Sequence, residues 1–139
     1  MTEAVLDASV LLKWFRTEGE NQLAAARSLR AAFERGELVV HAPPLLHLEV
    51  VNVAGRRWGW DEAALLALAA ALAELGFELA EPRLGSVASW TARGLTAYDA
   101  AYVALAETEA IALVTDDALI LAVAPQIAVP LAKADRLFS

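Results

Sequence analysis

The sequence predicts an α/β fold of three layers, a central parallel sheet of four to five strands with helices on both faces. Three observations predict it. Short apolar stretches such as Ala4-Val5-Leu6 and Ile111-Ala112-Leu113-Val114 alternate with longer stretches of helical period. The clearest strands are apolar throughout, and strands buried on both faces belong to parallel sheets. The chain has 139 residues, which suits one domain, 1–139, built around one core.

Taken in order, Ala4-Val5-Leu6 opens as a buried strand and ends on Asp7. Ser9 to Phe15 reads as a helix, and Gly19 breaks it. From Asn21 to Arg35 an amphipathic helix follows, with Leu23, Ala26, Leu29, Ala32 and Phe33 on one face and Gly36 as its stop. Leu38-Val39-Val40 is the second strand, closed by Pro43-Pro44. Leu45 to Trp58 is a helix that carries Glu49, Asn52, Arg56 and Arg57. Asp61 caps the next, Glu62 to Leu75, whose Leu65, Leu68, Leu72 and Leu75 form one stripe. Phe77-Glu78-Leu79 is a short third strand, and Ser86 to Arg93 is helical up to Gly94. Thr96 starts a helix with Asp99 in its first turn, and no side chain from Ala100 to Ala106 is charged. A helix apolar all round is buried on more than one side, so Asp99 enters a dry region. The fourth strand, from Ile111 to Val114, leads into Thr115-Asp116-Asp117. Ile127-Ala128-Val129 is the last strand, and Pro130 puts it at a sheet edge.

Composition narrows the function. Cysteine is absent, so disulfide frameworks, thiolate zinc sites and Cys nucleophiles are excluded. The longest apolar run, Ala63 to Ala73, falls far short of the roughly 20 residues of a membrane span. With no signal pattern at the N-terminus, the expectation is a cytoplasmic protein with no membrane partner. A net charge of −7 argues against a protein held to nucleic acid by bulk charge. It is compatible with an enzyme whose cations are metal ions beside acidic ligands. The chain is 58% hydrophobic, with a mean hydropathy of +0.47. So small a domain buries only part of its surface, and we expect apolar surface given to a partner or a second copy.

The acids converge. In an open parallel sheet, sites form beyond the carboxyl ends of the strands, near the point where strand order reverses. Asp7 follows the first strand at that end, and Asp116 and Asp117 follow the fourth. Asp99 begins a helix on the same side, and Glu49 lies one to two turns into the helix after the second strand. Packed like charges are costly unless something positive sits among them. No His or Lys falls within these stretches, so a hard divalent cation is the simplest counter-charge. Oxygen ligands suit Mg²⁺ or Mn²⁺, and such an ion polarises a phosphodiester and activates water.

Val5-Leu6-Asp7-Ala8-Ser9-Val10, Leu48-Glu49-Val50-Val51-Asn52, Leu95 to Ala106, and Leu113-Val114-Thr115-Asp116-Asp117 resemble the ordered acidic motifs of the PIN-domain family. Within that family they are most similar to the toxin ribonucleases of VapBC toxin–antitoxin pairs. The resemblance covers nearly the whole chain. It implies a PIN-like fold and a Mg²⁺- or Mn²⁺-dependent endoribonuclease acting on RNA, frequently a homodimer and held inactive by a small antitoxin. Matched position by position, it implies Asp7, Glu49, Asp99 and Asp117 as catalytic metal ligands, with Asp116 as the alternative to Asp117.

Other residues carry two readings each. Ser9 and Thr115 bond the metal waters or the phosphate, or they cap the next helix. Asn52, one turn from Glu49, orients it or is a surface amide. Lys13 and Arg93 meet the scissile phosphate or are solvated charges; Arg56 and Arg57 reach RNA or an antitoxin acid. The histidines are expected to be structural, and the tryptophans to fill the core or an interface. Two rivals remain. A non-catalytic PIN-like binding module is expected to have lost acids, and none is lost here. A phosphoryl-transfer domain with an Asp nucleophile wants a second Asp two residues after Asp7, where Ser9 stands.

Overall fold

In a computed structural model, residues 1–16, 18–19 and 21–138 are described. The order is β1 (Thr2–Leu6), α1 (Ala8–Phe15), α2 (Leu23–Glu34), β2 (Leu38–Ala42), α3 (Leu45–Arg56), α4 (Glu62–Glu74), β3 (Glu78–Leu79), α5 (Leu84–Ala92), α6 (Ala97–Glu109), β4 (Ala112–Thr115), α7 (Ala118–Val123) and β5 (Ala128–Pro130). A 3-10 helix, Leu131–Phe138, follows. The five strands form one sheet in the order β3-β2-β1-β4-β5. Every neighbouring pair is parallel.

The strand patterns explain this topology. Ala4, Val5 and Leu6 of β1, the central strand, have no exposed surface, and neither do Leu113 and Val114 of β4. Such strands need cover on both faces. α6 supplies part of it, packing on β1 and β4, while α2 packs on β2. From Ala100 to Ala106 every residue of α6 is buried, as a stretch without charge requires. β5 lies at one edge of the sheet, as Pro130 predicts, and β3 at the other. α2 and α4 are followed by Gly36 and Gly76 at φ +75° and +74°, a left-handed conformation that glycine adopts without steric cost.

Strand order reverses beside β1. The chain moves from β1 to β2 and β3 on one side, then returns to place β4 and β5 on the other. The carboxyl ends of β1 and β4 therefore flank the switch point, where such sheets bind ligands. Two elements go beyond the sequence reading. α7 has six residues, too few to show a period, and begins where Asp117 accepts the Ile120 N–H at 3.0 Å. The closing 3-10 helix buries only Leu131 and Ala134.

Candidate active site

Asp7 ends β1 and caps α1 in one step. Its backbone is extended, and its side chain turns back over the first turn of the helix. Oδ1 accepts the Ser9 hydroxyl at 2.6 Å and, more distantly, the Val10 N–H at 3.4 Å. Oδ2 accepts the buried Thr115 hydroxyl, which arrives from the end of β4. The Asp116 N–H donates to Ser9 Oγ at 3.0 Å, and the Asp117 N–H donates to Thr115 Oγ1 at 3.0 Å. Ser9 and Thr115 therefore tie the ends of β1 and β4 together around Asp7. Neither is the cap of its neighbouring helix; Asp7 and Asp117 are.

Asp7, Glu49, Asp99, Asp116 and Asp117 all line one cleft of about 440 Å³. They arrive by four routes: Asp7 from β1's end, Glu49 from α3, Asp99 from the first turn of α6, and Asp116 with Asp117 from β4's end. Their electrostatics show mutual proximity. Burial pushes the Asp7 carboxyl up to about 6, opposed by bonds from Ser9, Thr115 and Val10 and reinforced by the charge of Asp117. Burial also raises Glu49, with the Tyr102 hydroxyl opposing and Asp99 adding to the rise. Asp99 is raised by burial and then by Asp117.

Two cations share the cleft. Lys13 is only 5% exposed. Its Nζ stands 3.4 Å from Asp116 Oδ2 and 3.1 Å from Asn21 Oδ1. Of the two readings of Lys13, the solvated charge gives way: α1 carries Lys13 inward, and Lys13 is engaged with Asp116. Asp117 has no such partner among the described residues and faces Asp7 and Asp99 instead. Arg57, just past α3, is the other cationic side chain lining the cleft among the described residues.

Two expected residues stand elsewhere. Asn52 is exposed and does not line the cleft; Glu49 is held by Tyr102 of α6, whose hydroxyl donates to Oε1. Arg93 lies over the Trp90 ring, 4.4 Å from its centroid, beside a separate hollow at the opposite end of β4. The Tyr102–Glu49 bond and the Lys13–Asp116 pair went unread in the sequence. Tyr102 lies three residues after Asp99 on the same helix face, a spacing that could have marked it. His41 bonds Glu3 at 2.8 Å, and neither histidine lines the cleft.

The donor set is oxygen only, which fits a hard cation. Among the described residues no three His, Cys, Asp or Glu side chains stand close enough to grip an ion between them. Lys13 offsets Asp116, which leaves four carboxylates facing Arg57 alone among the described residues.

Known proteins agree with this architecture. A structure from Pyrobaculum aerophilum, PAE2754, matches with 26% identity over 99% of this chain and 96% of that one, at a TM-score of 0.69. The Mycobacterium tuberculosis toxin VapC20, described as cleaving the sarcin–ricin loop, matches with 18% identity over 87% of this chain and 95% of that one, at a TM-score of 0.67. At that identity the second likeness is one of fold. No curated protein matches the chain. The sequence profile described as PIN domain matches residues 4–124, and the chain belongs to the PIN-domain family.

Proposed function

We propose that the chain is a divalent-metal-dependent endoribonuclease, the toxin of a type II toxin–antitoxin pair in the cytoplasm. One observation carries this reading: four carboxylates from separate elements line a cleft at the sheet's switch point, and the buried lysine beside them is engaged with a fifth. The likeness in fold to a ribonuclease toxin supports it further.

Asp7, Glu49, Asp99 and Asp117 would hold Mg²⁺ or Mn²⁺. When bound, the ion supplies a Lewis acid for the phosphate and a water of lowered pKa. The chain's own residues do the rest. Ser9 and Thr115 fix Asp7, and Oδ2, with one hydrogen bond, keeps acceptor capacity for the ion. The pair of Asp116 with Lys13, at 3.4 Å, favours Asp117 over Asp116 as the fourth ligand. Arg57, exposed and lining the cleft, is the side chain placed for a substrate phosphate, in the role first expected of Lys13 and Arg93. A buried Asp7 with both oxygens hydrogen-bonded is poorly placed for in-line attack, which disfavours the phosphoryl-transfer alternative.

The test is cleavage of single-stranded RNA in Mn²⁺ or Mg²⁺ and in chelator. Metal-dependent cleavage leaving 5′-phosphate and 3′-hydroxyl ends is expected. Glu49→Gln, Asp99→Asn and Asp117→Asn should each lose most activity, while Asp116→Asn stays within about tenfold of the parent, roughly 1.4 kcal/mol of barrier. Undiminished cleavage by two of the first three variants would sink the assignment.

Assembly follows from α4. Its leucine stripe is core: Leu68 and Leu72 are buried, Leu65 and Leu75 half-buried. The opposite face exposes Ala63, Leu66, Ala67, Ala70 and Ala73. So apolar a helix face is expected to be covered, and we assign it to a homodimer or to a small antitoxin segment. Light scattering across micromolar concentrations should report a dimer; a strict monomer throughout would count against that assembly.

A further inference from the structure

We propose that Tyr102 is a positioning residue for Glu49, its buried hydroxyl holding Oε1 so that Oε2 stays turned to the cation. This inference rests on the metal-nuclease reading and adds a residue to it. Tyr102 is 1% exposed, so its ring belongs to the core and only its polar tip meets the cleft. The hydroxyl has one proton, and carboxylates surround it: it donates to Glu49 and also senses the charges of Asp7 and Asp99. Glu49 is the longest and most flexible of the four acids, on a helix exposed at Leu48 and Asn52. Free in the cleft, it would lose side-chain entropy on gripping an ion. The bond from Tyr102 removes much of that freedom beforehand and bridges α3 to α6. Groups that orient metal ligands in this way typically change metal affinity about 10–100-fold.

Tyr102→Phe removes the hydroxyl and keeps the ring. Titration calorimetry with Mn²⁺ should show its dissociation constant raised about tenfold over the parent's. RNA cleavage should fall at limiting Mn²⁺ and return to near the parent's rate at saturating Mn²⁺, since the ligand is loosened and not lost. An unchanged dissociation constant overturns the proposal. So does a rate that stays low at saturating Mn²⁺, which would place the hydroxyl on the substrate, or a variant that does not fold, which would make the bond structural. A parent that binds no Mn²⁺ removes the nuclease reading and this inference together, whereas a parent that binds beside an equally tight Tyr102→Phe removes this inference alone.

Discussion

Asp7→Asn is expected to reduce metal-dependent RNA cleavage by at least about a hundredfold, the equivalent of roughly 2.7 kcal/mol of barrier, while the metal-free protein becomes more stable. Two properties of one side chain lead to this. Asp7 lies where β1, α1 and β4 meet and lines the cleft, so neutralising it removes one of the four proposed ligands. The same carboxylate is buried, 4% exposed, beside Asp117. Its folded pKa of about 6 lies above the unfolded value near 3.8. Between these values the folded state holds a proton that the unfolded state has released, so stability falls as pH rises through that window. At neutral pH the ionised group costs up to about 3 kcal/mol relative to its protonated form. Glu49 and Asp99, also raised, act in the same direction. Asparagine keeps the acceptor oxygen for Ser9 and deletes the charge, while its NH₂ replaces the acceptor of the Thr115 hydroxyl with a donor to Thr115 Oγ1. Urea unfolding in chelator at pH 5 and pH 8 measures the effect. The parent should be more stable at pH 5, with about 1.4 kcal/mol of the difference due to Asp7, and Asp7→Asn should lack that part. A variant less stable than the parent at pH 8, with an unchanged pH slope, would make Asp7 a structural hydrogen-bonding group.

How much of this was legible in the sequence depends on the range of each signal. The strands and their parallel pairing were legible because all-apolar strands in alternation with helices leave few other arrangements. Asp7, Asp99 and Asp117 were legible because each sits at an element boundary, where chain topology alone sends Asp7 and Asp117 to the same end of the sheet; Glu49, inside α3, was legible only from its place after the second strand and from the PIN-domain resemblance. The PIN-domain resemblance then chose Asp117 over Asp116, and the Lys13–Asp116 pair now gives that choice a physical reason. Lys13 was legible as a candidate near the site, but its pair with Asp116 was not, because no local pattern announces a partner about a hundred residues away. Tyr102 was hidden by the apolar run around it: a helix buried on all sides was treated as featureless, though a tyrosine carries a polar tip. Asn52 looked right by spacing alone, one turn from Glu49, but that turn carries it to the exposed side. Arg93 was near Asp99 in sequence, yet its side chain lies over Trp90, beside a hollow lined by Ala110, Ile111 and Ala112. α7 is shorter than any window in which a period can be read.

Thermal unfolding of the parent and Asp117→Asn distinguishes most directly whether the carboxylates of the cleft are a metal site or a set of structural bonds. Asp117 is the informative position because asparagine still caps α7, taking over the bond from the Ile120 N–H, and loses only a helix-end charge term of about 0.3–1 kcal/mol. That loss is offset by relief of repulsion from Asp7 and Asp99, so in chelator the variant should match or exceed the parent. In Mn²⁺ or Mg²⁺ the parent should gain stability by mass action, about 2.7 kcal/mol at a hundred times the dissociation constant, and Asp117→Asn should gain much less. A parent whose midpoint ignores both metals, together with an Asp117→Asn variant destabilised in chelator, would contradict the account.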